Sequence, residues 1–238
     1  MAVYTIVDDT ALETFLERYA LGNVLSFAGI AEGVENSNYL LRTDQANYIL
    51  TLYEKRVDPT DLPFFLELME TLATAGMNCP LPVMARDGSV LQELEGRPCA
   101  IFSFLDGTWS RFPNKEKCRE LGTALATMHL EAKVMRRHRL NALGPLAWQP
   151  LFSSVKSEAD TIGVGMTQQI QDRLDAIIEN WPTGLPEGVI HADLFPNNVL
   201  FIGDRLTGLI DFYFARDFVR LKLPSASKHQ LFRHIPRS

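Results

Sequence analysis

Leu12, Phe15, Leu16 and Tyr19 recur at helical spacing behind Thr10 and Glu13, which fit a capping box, and they predict a first helix near residues 10 to 21. Three strand-like runs follow: VLSFAGI, SNYLLRT and ANYILTLY. The segments between them, GIAEGVENSN and TDQA, are turn-rich, so the runs predict an antiparallel meander with a glycine-bearing first turn. Thr60 to Ala75 reads as a helix ended by Gly76. LPVMARDGSVLQEL sets Asp87-Gly88 between two short alternating runs, which predicts another hairpin, and PCAIFSFLDG predicts an apolar strand that stops at Asp106-Gly107.

After this the texture changes. Asn114 predicts the cap of a helix carrying Cys118, Leu121, Leu125 and Met128, and Met166 to Asn180 predicts another with Ile170, Leu174, Ile177 and Ile178 in register. The stretch GVIHADLFPNNVLFIGDRLTGLIDFYFA then reads as strand, loop and hairpin, the hairpin turning at Gly203-Asp204. The expected class is α+β, with a β-rich lobe over 1–105, a mainly helical lobe over 106–217 and an aperiodic tail over 218–238.

Composition changes this picture little but narrows function. In 238 residues, 23 Lys+Arg stand against 29 Asp+Glu, a net charge of −6 that argues against a nucleic-acid partner. No run approaches the ~18 apolar residues of a membrane span, and Asp8 and Asp9 stand where a secretory signal carries basic residues, so a cytoplasmic protein without a membrane partner is expected. Cys79, Cys99 and Cys118 form no CxxC pair, and reduced thiols are the expectation. The tail is different: from Phe218 onward there are five basic residues and no acidic one, leaving 18 basic against 29 acidic upstream.

His191, Asp193 and Asn198 form H-x-D-x-x-x-x-N, and Asp211 follows eighteen positions after Asp193 at a strand end. Phosphoryl transfer needs a carboxylate that orients a hydroxyl and accepts its proton, and oxygen ligands for the Mg²⁺ that bridges nucleotide phosphates. Asp193 is the candidate for the first task, Asn198 and Asp211 are the candidate magnesium ligands, and His191 is expected to brace the loop. Taken singly, each residue reads more readily as a turn former or a satisfied polar group; the joint spacing is what favours chemistry.

In the first lobe, GIAEGVENSNY is the candidate phosphate-covering loop, with Gly33, Asn36, Ser37 and Asn38 as nucleotide contacts; its alternative is an ordinary hairpin turn. On YILTLYEK, Thr51 stands where a phosphate-facing lysine is expected. Lys55 is the candidate replacement, with Arg56 beside it, and a solvated charge at a strand end is the alternative. Glu67 and Glu70 on the following helix are possible partners for such a cation, surface exposure being the other outcome. The segment Phe102 to Leu105, with Ser103 and Leu105 as contacts, is expected to receive an adenine edge through its backbone; Phe102 and Phe104 themselves read as core packing.

IHADLFPNNVLF with LIDFYFA, the loop EGVENSNYLL and the strand YILTLYEKR resemble the bacterial homoserine kinases of the aminoglycoside-phosphotransferase-like type, from about Met1 to Phe214. The H-x-D-x-x-x-x-N and following Asp are shared with choline and aminoglycoside kinases and so indicate reaction and not acceptor. The resemblance implies a two-lobed protein-kinase-like fold, ATP and Mg²⁺, and phosphorylation of the L-homoserine hydroxyl on the way to threonine. It implies Asp193 as catalytic base, Asn198 and Asp211 as metal ligands, and tolerance of a non-lysine at position 51. Family members continue through further helices where the likeness here fades past Asp217, so a partial second lobe is expected, with a choline- or aminoglycoside-like acceptor or a silent nucleotide-binding fragment as alternatives.

Overall fold

In a computed structural model the described residues are 4–31, 36–54, 57–182 and 184–219. Gly33, Lys55, Arg56 and residues 220–238 of the basic tail lie outside them. Helix α1 spans Asp9–Leu16 and is capped two residues earlier than the Thr10–Glu13 pair suggests: Asp8 accepts the Ala11 N–H at 2.8 Å. The helix stops at Leu16, and Tyr19 and Leu21, expected on its last turn, are buried in the same core as Leu12 and Phe15.

Strands β1 (Val24–Gly29), β2 (Ser37–Thr43) and β3 (Asn47–Leu52) form the expected antiparallel meander, which β4 (Gln92–Leu94) and β5 (Arg97–Ser103) extend to five strands in the order β1-β2-β3-β5-β4. The hairpin is made by β4 and β5 around Glu95-Gly96 and not at Asp87-Gly88. Asp87 instead closes a local turn, its carboxylate accepting from the Ser89 N–H (2.8 Å) and hydroxyl (2.6 Å), while Pro80 and Pro82 remove two donors from the run before it.

Successive residues of β3 and β5 point to opposite faces, and both faces are covered. Leu50, Leu52, Cys99 and Ile101 join α1 in one cluster; Tyr53, Ala100 and Phe102 join a second with helix α2 (Leu62–Thr74). Leu50, Leu52 and Ile101 are fully buried, each worth about 1.5–3 kcal/mol of transfer free energy. The second cluster continues through Met128 of α3 (Lys115–Glu131) to Val199, Phe201, Leu209 and Phe212, so it joins the sheet to the segment that bears the motif. Asn114 caps α3 as the sequence suggests, accepting the Lys117 N–H at 2.9 Å.

The remaining elements are α4 (Pro145–Val155), α5 (Met166–Glu179), β6 (Glu187–Ile190), β7 (Val199–Ile202), β8 (Arg205–Leu209) and β9 (Arg216–Val219). The chain divides into two compact units, Met1–Arg139 with Val189–Arg216, and Leu140–Gly188 with Asp217–Ser238. Within the second, Trp148 and Trp181 meet edge to face at 5.3 Å, and Gln149 on α4 donates to Asp175 on α5 at 2.7 Å. No helix among the described residues is long and apolar enough to cross a membrane.

Candidate active site

His191, Asp193, Asn198 and Asp211 all belong to the first unit. Strands β7 and β8 pair antiparallel across the Gly203-Asp204 turn, with Val199 opposite Leu209. One step beyond that pair the Ile210 N–H donates to the Asn198 carbonyl at 3.0 Å, which brings Asn198 beside Asp211 at the open end of the hairpin. At the other end, Asp204 accepts from Asn114 Nδ2 at 2.9 Å, tying the turn to the cap of α3.

The loop before β7 is held by its own polar groups. Asn198 is 6% exposed, and its Nδ2 donates both to the Asp193 carbonyl (2.7 Å) and to Asp193 Oδ2 (3.1 Å). Both donors of that amide thus act on Asp193, and Asn198 Oδ1 has no hydrogen-bond partner among the described residues. Ala192 (φ 65°) and Asp211 (φ 64°) both lie in the left-handed region, an arrangement that costs roughly 1–3 kcal/mol per residue and persists only where neighbours over-determine it.

His191, 2% exposed, supplies part of that determination. Its Nε2 sits 3.0 Å from the Ile210 carbonyl, an acceptor only, so Nε2 carries the proton; Nδ1 accepts the Asp193 N–H at 3.4 Å. One neutral imidazole therefore joins the Asp193 loop to the residue before Asp211, with Phe212 against its ring at 4.8 Å. Burial pushes the imidazole pKa down to about 4, against the pull of the Ile210 carbonyl. Between pH 6.5 and about 4 the unfolded chain binds a proton that the folded one refuses, so stability falls as the pH drops through this window and the loss is complete below it. The expected contribution is about 3 kcal/mol. Denaturant unfolding of the protein and of His191→Gln at pH 4 to 7 checks it: the difference between the two curves should narrow towards acid, and a constant difference would exclude the effect.

The other predicted residues are placed as follows. Ser37 is fully buried; its hydroxyl donates to Glu54 Oε1 at 2.7 Å and accepts the N–H of Tyr4 and of Thr5, so it anchors the N-terminal segment to β2. Asn36 accepts the Glu54 N–H at 3.3 Å, and Asn38 accepts the Thr51 hydroxyl at 2.8 Å. Glu54 is also paired with Arg97 at 3.3 Å. Glu67 binds the Arg136 N–H (2.7 Å) and the Arg137 guanidinium (3.0 Å) on the segment after α3, partners that no local pattern announces.

At the end of β5, Ser103 Oγ accepts the Leu81 N–H at 2.9 Å, and beyond it Thr108 exchanges both backbone bonds with Phe201 at 2.9 Å. The connecting segment thus runs against β7. Its close approach requires glycine at 107, where φ is 145° and a Cβ would lie 2.5 Å from Thr207 Oγ1 and 3.2 Å from the Phe201 backbone nitrogen. The N–H of Leu105 has no hydrogen-bond acceptor among the described residues.

The donor set fits a hard cation with few protein ligands: an amide oxygen and a carboxylate adjacent on one hairpin, and no cluster of three His, Cys, Asp or Glu among the described residues. A magnesium ion that keeps waters and shares phosphate oxygens has this requirement.

The comparisons with known proteins agree with this geometry. The model of the phosphotransferase enzyme family matches residues 26–217. The homoserine kinase of Sinorhizobium medicae is 54% identical over 220 residues, 92% of this chain and 68% of that protein, and the homoserine kinase of Paramagnetospirillum magneticum is 55% identical over 221 residues, 90% and 68%. Among solved structures, an amicoumacin kinase in complex with AMP-PNP, Ca²⁺ and amicoumacin superposes with a TM-score of 0.67 at 15% identity, over 89% of this chain and 66% of that one, a likeness of fold. A sheet buried on both faces, a hairpin carrying Asn198 and Asp211, and a match that runs unbroken through both make this chain a member of the phosphotransferase enzyme family.

Proposed function

We propose that this protein transfers the γ-phosphoryl group of ATP to the hydroxyl of L-homoserine. The observation that carries the chemistry is the double grip of the Asn198 amide on Asp193, which orients one carboxylate while leaving Asn198 Oδ1 beside Asp211. Asp193 accepts the proton of the acceptor hydroxyl as its oxygen bonds to the γ-phosphorus and the bond to the β-phosphate oxygen breaks. Asn198 Oδ1 and the Asp211 carboxylate would hold Mg²⁺, which would supply neutralisation of phosphate charge. His191 keeps the two halves of this arrangement in register. The Leu105 N–H, between Phe104, whose N–H is bonded to Asn47, and Thr108, bonded to Phe201, is the group offered to the adenine edge.

The acceptor is supported by the homoserine kinases that this chain resembles at 54–55% identity. ADP release from ATP·Mg²⁺ with L-homoserine, choline, an aminoglycoside or no acceptor tests it. Turnover that depends on L-homoserine is expected; turnover with another acceptor alone overturns the substrate, and the absence of any acceptor-dependent turnover overturns the reaction.

A further inference from the structure

The basic run after α3 lies along helix α2 and ends on the turn that carries Asp211. The Arg136 N–H and the Arg137 guanidinium are taken by Glu67 of α2, at 2.7 and 3.0 Å. Arg139 reaches the start of the same helix: its Nε donates to Asp61 Oδ2 at 2.6 Å, and its guanidinium stands over the Phe65 ring, 5.1 Å from the centroid. A further arm of the fork points elsewhere, for Arg139 Nη1 donates to the Ala215 carbonyl at 3.2 Å. The Arg139 and Asp61 side chains are 22% and 30% exposed, so the pair is sheltered from the solvent that weakens surface ion pairs.

Ala215 closes the short 3-10 turn Phe212–Phe214 that Asp211 opens. Inside the turn, the Ala215 N–H donates to the Phe212 carbonyl and Arg216 Nε to the Phe214 carbonyl, both at 2.8 Å. At its entry, the Ile210 N–H and carbonyl are held by Asn198 and His191. At its exit, the Ala215 carbonyl is held by Arg139, and Phe65, under the same guanidinium, meets the Tyr213 ring edge-on at 5.7 Å. Asp211, at φ 64°, thus lies in a left-handed conformation fixed from both sides. We propose that Arg139 is a positioning residue: anchored to α2 by Asp61, it holds the exit of the Asp211 turn in the geometry that binds a nucleotide-bound divalent cation, a role that rests on the reading of Asp211 as a metal ligand. A guanidinium suits the task because its donors are rigid relative to one another, so the bond to Asp61 aims the bond to Ala215. Nothing local in the run RRHRL separates this arginine from the exposed Arg136 and Arg137 beside it.

Arg139→Met removes both donors and keeps an apolar stem over Phe65, while Asp61→Asn leaves the arginine in place and removes the charge that anchors it. The readout is the affinity for Mn²⁺ in the presence of ADP, followed by its paramagnetic resonance signal. Loss of partners behind a metal ligand costs roughly 10–100-fold in affinity; Arg139→Met is expected near the lower end, Asp61→Asn is expected to weaken binding by less, and the double variant should be no weaker than Arg139→Met alone, because Asp61 acts through the arginine. The direction is diagnostic, since deleting a positive charge would by itself favour a bound cation. Denaturant midpoints recorded alongside show that folded protein is being compared. An arginine that only staples the chain to α2 would lower the midpoint and leave Mn²⁺ affinity at the parental value, which overturns the proposal, as does a double variant in which the two effects multiply. If Arg139→Met does not fold, Asp61→Asn carries the test, and parental affinity in that variant overturns the proposal. Asp211→Asn is the reference: if it fails to weaken Mn²⁺, the metal assignment falls and the proposal with it; if it weakens Mn²⁺ while Arg139→Met binds as the parent does, the positioning role is refuted and the metal assignment stands.

Discussion

Asp193→Asn lowers turnover with L-homoserine by about 10²–10⁴-fold, the range typical of a lost general base, while ATP binding changes by less than about twofold. The substitution is nearly isosteric and its effect is set by hydrogen-bond polarity. Asn198 Nδ2 donates to Asp193 Oδ2 at 3.1 Å, so an asparagine at 193 turns its oxygen to that donor and presents its NH₂ to the acceptor hydroxyl. A group that receives a proton becomes one that can only give a hydrogen bond. Steady-state kinetics with a nucleotide titration on the same preparation check the split between kcat and binding. A variant that keeps parental turnover excludes Asp193 as the base.

Asp211→Asn is expected to reduce kcat/KM by about 10²-fold or more, since charge stabilisation by a bound metal is worth several kcal/mol and each ~1.4 kcal/mol is a factor of ten. The choice of asparagine matters because Asp211 has φ 64°, and asparagine is among the few residues that accept this region. Asp211→Ala removes both oxygens as well as the charge, where asparagine keeps one neutral oxygen, and it adds backbone strain of about 1–2 kcal/mol. Both variants should lose activity, the alanine variant at least as much, and only the alanine variant should also lose stability in denaturant unfolding. Parental activity in either variant would contradict the assignment.

Much of the scaffold is legible because its signals are local. The strand runs of β2 and β3, the Asn114 cap and the Gly203-Asp204 turn each depend on residues within a few positions, and all are found in the structure. The errors come from local signals that compete. Asp8 and Thr10 both offer a cap to the first helix, and the carboxylate of Asp8 reaches the Ala11 N–H first. Asp87-Gly88 and Glu95-Gly96 both offer a turn, and the second is followed by the run Arg97–Ser103, whose buried side chains and unbroken pairing with β3 hold the hairpin there.

The chemical inventory can be read along the chain: a carboxylate, an amide and a second carboxylate at spacings that a loop and a hairpin can bring together, on an acidic chain with a strand-rich first half. Which groups meet across long separations is settled by packing between elements. Glu67 joins Arg136 and Arg137 after α3, Ser37 and Glu54 anchor Tyr4 and Thr5, and the Tyr53 hydroxyl donates to that of Tyr213 at 3.3 Å, just past Asp211. Helix caps and strand alternation follow from atoms separated by a few bonds of backbone, whereas these partners are chosen when buried polar groups must be satisfied between elements that pack together, a demand with no periodicity along the chain.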